Sequence, residues 1–249
     1  MSGHNKWSSI KHKKGKADEA KGKIFSRIVR EIMMSAKLGG GDPSGNSRLR
    51  LAIQKAKESN MPADNIKRAI EKGTSSADAA NLEEIVFEIY ASYGVALLVE
   101  SVTDNRNRTI SNVKSYINKY NATLAAKGAV SYLFDKKGII LFEPGTSEDA
   151  VMEIAAEYNV DDVVTTEDGC VEVTMDPTEF ETVKNAFIEK KMTFEEASIT
   201  MIPKTAVTLD VDQAEKIMRF IDKIEEDDDV QEVYGNHEIP EDVLAKMEA

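Results

Sequence analysis

The order of apolar patterns between residues 138 and 202 constrains the fold more than any other feature of this sequence. Two stretches with the 3.6-residue spacing of helices alternate with short runs typical of strands, in the order strand, helix, strand, strand, helix, strand. The turn at Gly169 favours a hairpin between the two middle strands, and Asp176-Pro177 favours a helix start. This segment therefore predicts a ferredoxin-like βαββαβ unit.

The segments on either side of this unit complete each other. Neither flank alone covers a sheet well, whereas the two together supply the strands and helices of a second α+β sandwich. We therefore predict a discontinuous domain that carries an inserted one, with a tandem arrangement as the alternative. The predicted flanking elements are strands at 85–91, 95–103 and 129–134, a helix at 106–120, a strand at 206–209, a helix at 211–226 and a strand at 230–234.

Before Leu82 the apolar residues recur only at helical spacing. A first helix is clear from Ile24 and ends at Gly39-Gly40-Gly41, Asn46 or Ser47 can cap a second, and Pro62 suits the start of a third. The predicted fold class is α+β, an N-terminal three-helix domain with a basic arm plus two ferredoxin-like α+β sandwich domains, one inserted into the other. The predicted domains are residues 1–75, residues 82–135 plus 204–249, and residues 136–203.

Charge is distributed unevenly along the 249 residues. The net charge is −12, yet residues 1–75 hold 17 of the 32 Lys and Arg and only 7 of the 44 Asp and Glu. Such an asymmetry indicates that one end meets a polyanion, because the acidic remainder repels one. Nucleic acid is therefore the expected partner, bound at the basic end.

The first 23 residues are predicted to be an arm, since they show no core-forming period. Lysines there suit phosphates, and Trp7, the one tryptophan, suits stacking on an unpaired base. A disordered solubilising tail is the alternative. The predicted nucleic-acid-binding residues of the arm and the first helix are Lys6, Trp7, Lys11, His12, Lys13, Lys14, Lys16, Lys21, Lys23, Arg27 and Arg30.

Arg106 and Arg108, in the stretch TDNRNRT, form a second group of predicted nucleic-acid-binding residues. Asp104 is expected to cap a helix there, and the free N–H groups of a helix N-terminus bind anions. With Lys127 as a further candidate, the two arginines would clamp a phosphate. Two arginines exposed to solvent are the alternative.

Residues for catalysis or metal binding are scarce. The chain has three histidines and one cysteine, and no HExxH, CxxC or G-x-S-x-G motif. The acidic run at 225–229 lacks the spacing of a calcium loop and is expected to be a solvated helix end. We expect no catalytic residues, no cofactor, no metal and no small-molecule substrate. The lack of an apolar N-terminal region and of any apolar run of about 20 residues predicts neither a secretory signal nor a membrane partner.

Four stretches, in order across essentially the whole chain, resemble the YebC/PmpR family. They read GHNKWSSIKHKKGKADEAKGKIFSRI, GGGDPSGNSRLRLAIQKAKESNMPADNIKRAI, VTDNRNRT and KGAVSYLF. The resemblance implies a helical N-terminal domain followed by two α+β domains.

The resemblance also implies a role in gene expression. The family is labelled as probable transcriptional regulators that bind DNA in the cytoplasm. Members are also described as translation factors that act on ribosomes stalled at proline-rich sequences, and mitochondrial relatives as translational activators. DNA and ribosomal RNA are thus both candidate partners, although a long Lys-rich arm suits irregular RNA better than major-groove readout. A third hypothesis, a ligand sensor, rests on fold analogy alone.

Overall fold

A computed structural model of the chain describes residues 21–75, 77, 79–166 and 169–247. These residues form two compact units. The first unit takes the described residues up to Ser131 together with Asp212–Gly235, and the second takes Tyr132–Val211 together with the described residues from Asn236 onward. No described helix is long and apolar enough to cross a membrane.

Both units combine helices with antiparallel sheets, which confirms the predicted α+β class. The described helices are α1 Lys21–Gly39, α2 Ser47–Glu58, α3 Ala63–Thr74, α4 Arg106–Lys119, α5 Glu148–Ala155, α6 Phe180–Glu189, α7 Val211–Glu225 and α8 Glu241–Met247. The strands are β1 Glu83–Tyr90, β2 Ala96–Thr103, β3 Thr123–Leu124, β4 Phe134–Phe142, β5 Val160–Thr165, β6 Val171–Met175, β7 Glu196–Pro203, β8 Val207–Thr208, β9 Val230–Gly235 and β10 His237–Glu238.

The first unit begins with three helices that share an apolar core. Both α2 and α3 pack on α1. Ile28 and Ile32 of α1 are buried, as the helical spacing predicted, and they lie in one cluster with Leu49 of α2 and Ile66 of α3. Burial of these side chains, more than helix propensity, stabilises helices this short.

The turn between α1 and α2 is built around Gly40 and Asn46. Gly40 has a φ of +85°, which favours glycine, and its N–H donates to the Ala36 carbonyl at 2.9 Å. Of the two predicted caps for α2, Asn46 is the one observed, because its side-chain oxygen accepts from the Leu49 N–H at 3.0 Å. The Asn46 amide also donates to the carbonyls of Ser35 and Gly40, at 2.8 Å each. One buried side chain therefore closes both ends of the turn.

Gly73 allows α3 to approach α1 closely. A Cβ atom added at Gly73 would lie 2.4 Å from the Met33 carbonyl oxygen and 2.9 Å from the Ala36 Cβ. The nearest atoms belong to helix backbone, which cannot rotate away as a flexible side chain can. The position therefore requires glycine for packing, and not for a left-handed φ.

The first sheet takes its strands from two distant parts of the sequence. Its order is β3-β1-β2-β9, with antiparallel register such as Phe87 opposite Val99, and Val99 opposite Val233. The segment that forms most of the second unit thus separates β2 from its neighbour β9 along the chain. This connectivity is the one expected for an insertion, while the boundaries of the three predicted domains stay a prediction.

The second unit contains the sheet predicted for residues 138–202. Its order is β5-β6-β4-β7 and each pair is antiparallel. The element order βαββαβ is confirmed, and it is that of a ferredoxin-like unit. Phe142 of β4 packs edge-on against Phe187 of α6, with ring centroids 4.9 Å apart. β8 and β10 form a separate parallel pair.

The strand predicted at 129–134 is wrong, and the reason is the carboxylate of Glu88. The backbone N–H groups of Gly128, Val130 and Ser131 donate to it at 2.6, 2.5 and 2.9 Å. These donors are therefore not available to a strand ladder, and a short 3₁₀ helix, Ser131–Leu133, precedes β4. Burial by itself would raise the pKa of Glu88, but the backbone donors outweigh burial and lower it.

We predict that Gly73→Ala destabilises the protein by about 2 kcal/mol. Alanine would gain helix propensity, but the clash with the Met33 carbonyl forces α1 and α3 apart, and overpacking of this kind costs about 1–3 kcal/mol. Chemical denaturation measures the change in the free energy of unfolding. Gly45→Ala is the control, since a Cβ there meets nothing within 4 Å. Equal stability of the two variants would contradict the close approach.

Candidate nucleic-acid interface

The predicted contact residues lie partly outside the described chain. Lys6, Trp7, Lys11, His12, Lys13, Lys14 and Lys16 fall outside the described residues, as does the side chain of Lys21. Lys23, Arg27 and Arg30 lie on α1, and Arg106 and Arg108 lie in the first turn of α4.

The basic residues of α1 point at the end of α7. The Arg27 guanidinium donates to the Glu225 carbonyl, and the Lys23 Nζ donates to the Glu226 carbonyl at 3.3 Å. Carbonyls in the last turn of a helix lack intrahelical donors and carry the negative end of the helix dipole. Cations of α1 thus cap α7, and this contact joins the three helices to the first sheet.

Asp229 is the centre of this contact. Arg30 of α1 donates to its Oδ1 at 2.5 Å, and the Nη2 of Arg108 on α4 lies 2.8 Å from both of its carboxylate oxygens. The hydroxyl groups of Thr103 and Thr109 donate to Oδ2 at 3.2 and 2.7 Å. The Asp229 side chain is only 2% exposed. Burial opposes its ionisation, but the hydrogen bonds from Arg108 and Thr109 and the charges of both arginines lower the pKa of Asp229.

The prediction that residues 225–229 form a solvated helix end is wrong for Asp227 and Asp229. Asp227 is 7% exposed, and its carboxylate accepts from Asn112 at 2.8 Å and from the Tyr116 hydroxyl at 3.1 Å. Burial and the charge of Asp227 raise the pKa of Tyr116 to about 12. Asp229 is therefore the internal counter-charge for arginines of α1 and α4, and Asp227 is an acceptor for polar groups of α4, which composition alone cannot reveal.

The first turn of α4 differs from its prediction. Asn105, and not Asp104, caps the helix, with its side chain accepting from the Arg108 N–H at 3.1 Å. Asp104 pairs with the Arg108 guanidinium at 2.8 Å, so its carboxylate is directed away from the cap. The Arg106 guanidinium pairs with Glu83 at 2.9 Å. The two arginines are thus held by different carboxylates, and the phosphate clamp stays a prediction.

Exposed lysines on α2 and α3 were not among the predicted contact residues. Lys55, Lys57 and Lys72 are exposed, and their ammonium groups have no hydrogen-bond or ion-pair partner among the residues that the structure describes. The sequence does hold a signal for them, because residues 47–75 contain seven Lys and Arg and three Asp and Glu. The cations of the first unit therefore include an engaged group, such as Arg30 of α1 and Arg108 of α4, and an unengaged group, Lys55, Lys57 and Lys72 on α2 and α3.

Metal-binding geometry is not found in the described part of the chain. No group of three or more His, Cys, Asp or Glu side chains there is placed to hold an ion. The one cysteine, Cys170, is buried.

Comparison with known proteins covers both units. Residues 5–76 match the family model of the TACO1/YebC protein N-terminal domain, and residues 82–237 match that of the TACO1/YebC second and third domain. The chain belongs to the TACO1/YebC family. The resemblance inferred from the sequence motifs is thus confirmed.

TACO1/YebC relatives match along their whole length. A "Probable transcriptional regulatory protein" of Trichlorobacter lovleyi is 51% identical over 247 residues, which are 99% of this chain and 100% of the relative. One of the same name from Geotalea uraniireducens is 49% identical with the same coverage. The crystal structure of a conserved hypothetical protein from Aquifex aeolicus superposes with a TM-score of 0.79, at 41% identity over 90% of this chain and 93% of that one.

We predict that Asp229→Asn costs about 3 kcal/mol of stability at pH 7, because it leaves two arginines beside a neutral amide. The folded-state pKa of Asp229 is lowered below the unfolded value of about 3.9, so its ionised form stabilises the fold above that value and the contribution disappears as the pH falls. The difference in unfolding free energy between the protein and the variant should therefore shrink below about pH 5.

Asp228→Asn is the control for this measurement, since Arg30 contacts the Asp228 backbone carbonyl and not its exposed carboxylate. Denaturant titrations at several pH values compare the three proteins. Equal losses in the two variants, or a difference that does not change with pH, would contradict the role of Asp229.

Proposed function

We propose that this TACO1/YebC member is a non-enzymatic nucleic-acid-binding regulator of gene expression. The observation that carries the proposal is the group of exposed, unengaged lysines Lys55, Lys57 and Lys72, in the helical part that directly follows the Lys-rich first 23 residues. Ammonium groups without internal partners are free to release counterions from a phosphate backbone. The names of the relatives, probable transcriptional regulatory proteins, support regulation and a nucleic-acid partner.

Binding is proposed to follow the phosphate backbone. Arginine and glutamine side chains read base edges in the major groove. On the exposed side of α2, however, Arg50 donates to the Pro43 carbonyl at 2.7 Å and Gln54 donates to Glu58 at 2.9 Å. The side chains that remain are lysines, which are mobile point charges. Lysine contacts position a protein on a nucleic acid without specifying its sequence.

DNA is the partner that the relatives' names favour, with transcription in the cytoplasm as the regulated process. Arg50 and Gln54 are bonded within the protein and so are not placed to read base edges in a major groove. This supports a second candidate, the folded RNA of the ribosome, because such RNA is recognised by its shape and its unpaired bases. In that case the protein would be a translation factor, as the family resemblance also implies. Arg106 is proposed as a further contact in either case, because its side chain is 56% exposed and Glu83 is its one ion-pair partner among the described residues.

We predict that two triple variants bind nucleic acid more weakly. One replaces Lys11, Lys13 and Lys14 of the arm with alanine, and the other replaces Lys55, Lys57 and Lys72. In each variant we expect the negative slope of log affinity against log salt to become less steep by about 3, since each phosphate contact contributes about 0.9 to its magnitude. We also expect each variant to weaken binding equally for unrelated sequences. Titration of duplex DNA, of a ribosomal RNA fragment and of intact ribosomes, over a range of salt concentrations, measures both.

The control replaces Lys114, Lys136 and Lys190, which are exposed and have no ion-pair partner in the described part of the chain. It removes the same charge from other parts of the surface and should leave the slope unchanged. Tighter binding of ribosomes than of duplex DNA at physiological salt would support a role in translation. Tighter binding of duplex DNA would support a role in transcription. Unchanged slopes in both triple variants would refute the proposed function.

A further inference from the structure

The turn between β1 and β2 presents an aromatic ring in an unusual backbone conformation. Tyr93 has a φ of +63° and is 41% exposed, and Gly94 after it has a φ of +79°. A positive φ is common for glycine and asparagine but is a genuine outlier for a bulky residue. The ring is therefore kept exposed at a position where glycine or asparagine would be less strained.

A lysine of α7 lies against this ring. The Lys216 Nζ is 5.8 Å from the centroid of the Tyr93 ring, and it donates to the Tyr93 hydroxyl at 3.1 Å. Together the two distances place the Nζ beyond the hydroxyl end of the ring and close to the ring plane, so the lysine holds the hydroxyl and does not cover a face of the ring. Tyr93 and Lys216 thus form a partly fixed pair of one flat ring and one positive charge.

Two more pairs of lysine and tyrosine lie farther along α7 and on α4. Lys223 of α7 is 5.6 Å from the ring centroid of Tyr116, and Lys119 is 5.8 Å from that of Tyr120. Positions seven apart on a helix share a face and lie about 10 Å apart, so Lys216 and Lys223 project from the same side of α7. The Tyr116 hydroxyl is held by Asp227 and the Tyr120 ring stacks on Phe220 with centroids 5.1 Å apart, so Tyr93 is the one of these three rings that is exposed for stacking on a base.

The acidic neighbours decide what this surface can hold. Arg219 pairs with Glu215 at 2.8 Å, and Lys223 pairs with Glu226 at 2.5 Å. These carboxylates reduce the attraction of the surface for a continuous phosphate backbone such as that of duplex DNA. The exposed ring of Tyr93 contributes instead through stacking, which does not depend on net charge and needs a base that is not paired.

We infer that Tyr93 and Lys216 form a stacking site for an unpaired base of a single-stranded nucleic acid, with the adjacent phosphate beside Lys216. The inference rests on the proposed function and adds to it a second contact surface and a class of ligand, unpaired nucleotides. Lysines of the helical part would hold the backbone, and Tyr93 would distinguish single strands from duplexes.

The test compares Tyr93→Asn with Tyr93→Phe in the full chain. Asparagine suits the positive φ and removes the ring, so we expect equal or higher thermal stability with about tenfold weaker binding of a single-stranded RNA 12-mer, the effect typical of losing one stacked base. Phenylalanine keeps the ring and should retain affinity within about twofold, because the π face that stacks is unchanged. Binding of duplex DNA should be the same in all three proteins, and a single-stranded DNA 12-mer shows whether the sugar matters.

The variant lacking residues 1–23 separates this inference from the proposed function. If that deletion weakens all nucleic-acid binding while Tyr93→Asn weakens none, the stacking site is refuted and the proposed function stands. If the unaltered full chain binds none of these nucleic acids, the proposed function fails as well. Equal loss of single-strand and duplex affinity in Tyr93→Asn would also overturn the inference, because stacking on an unpaired base cannot act on a duplex.

Discussion

The carboxylate of Asp229 is buried between two arginines that come from two different helices. Arg30 of α1 and Arg108 of α4 both pair with this carboxylate. At the adjacent end of α7, Arg27 donates to the Glu225 carbonyl. An ionised group that is 2% exposed is costly unless it is paired and hydrogen-bonded, and Asp229 has two cationic donors and two hydroxyl donors. Because the group is satisfied only when both helices are in place, the arrangement of the helical part on the first sheet depends on it.

This contact changes how the charge of the chain relates to its function. An excess of Lys and Arg in residues 1–75 indicates a polyanion-binding end, but part of that excess is engaged within the protein, since Arg30 pairs with Asp229 and Lys23 and Arg27 donate to carbonyls at the end of α7. The residues proposed for a partner are those that no acceptor among the described residues holds, such as Lys57 and Lys72. Net charge thus predicts which end of the chain meets a nucleic acid, while the three-dimensional structure separates cations that are held within the protein from those that are proposed to bind.

The sequence predicted the described helices other than α8, and most strands, because their apolar spacing is local. Ile28 and Ile32 repeat at helical intervals, and the βαββαβ order follows from alternating short runs. The errors have non-local causes. The carboxylate of Glu88 accepts from the N–H groups of a segment some forty residues away, and Asp227 and Asp229 of the acidic run are buried with partners from helices remote in sequence. Spacing along the chain carries no information about such partners, so neither effect could be predicted from it.

The most direct test of this account measures stability and affinity in the same two variants, Arg30→Gln and Lys57→Gln. Each removes one positive charge from the helical part, so electrostatic attraction at long range changes equally. We expect Arg30→Gln to lose about 2 kcal/mol of unfolding free energy while the folded protein keeps its affinity for nucleic acid within about twofold. Lys57→Gln should keep its unfolding free energy within about 0.5 kcal/mol. Its negative slope of log affinity against log salt should become less steep by about 1. Loss of affinity in Arg30→Gln with unchanged stability would contradict the division between cations held within the protein and cations proposed to bind.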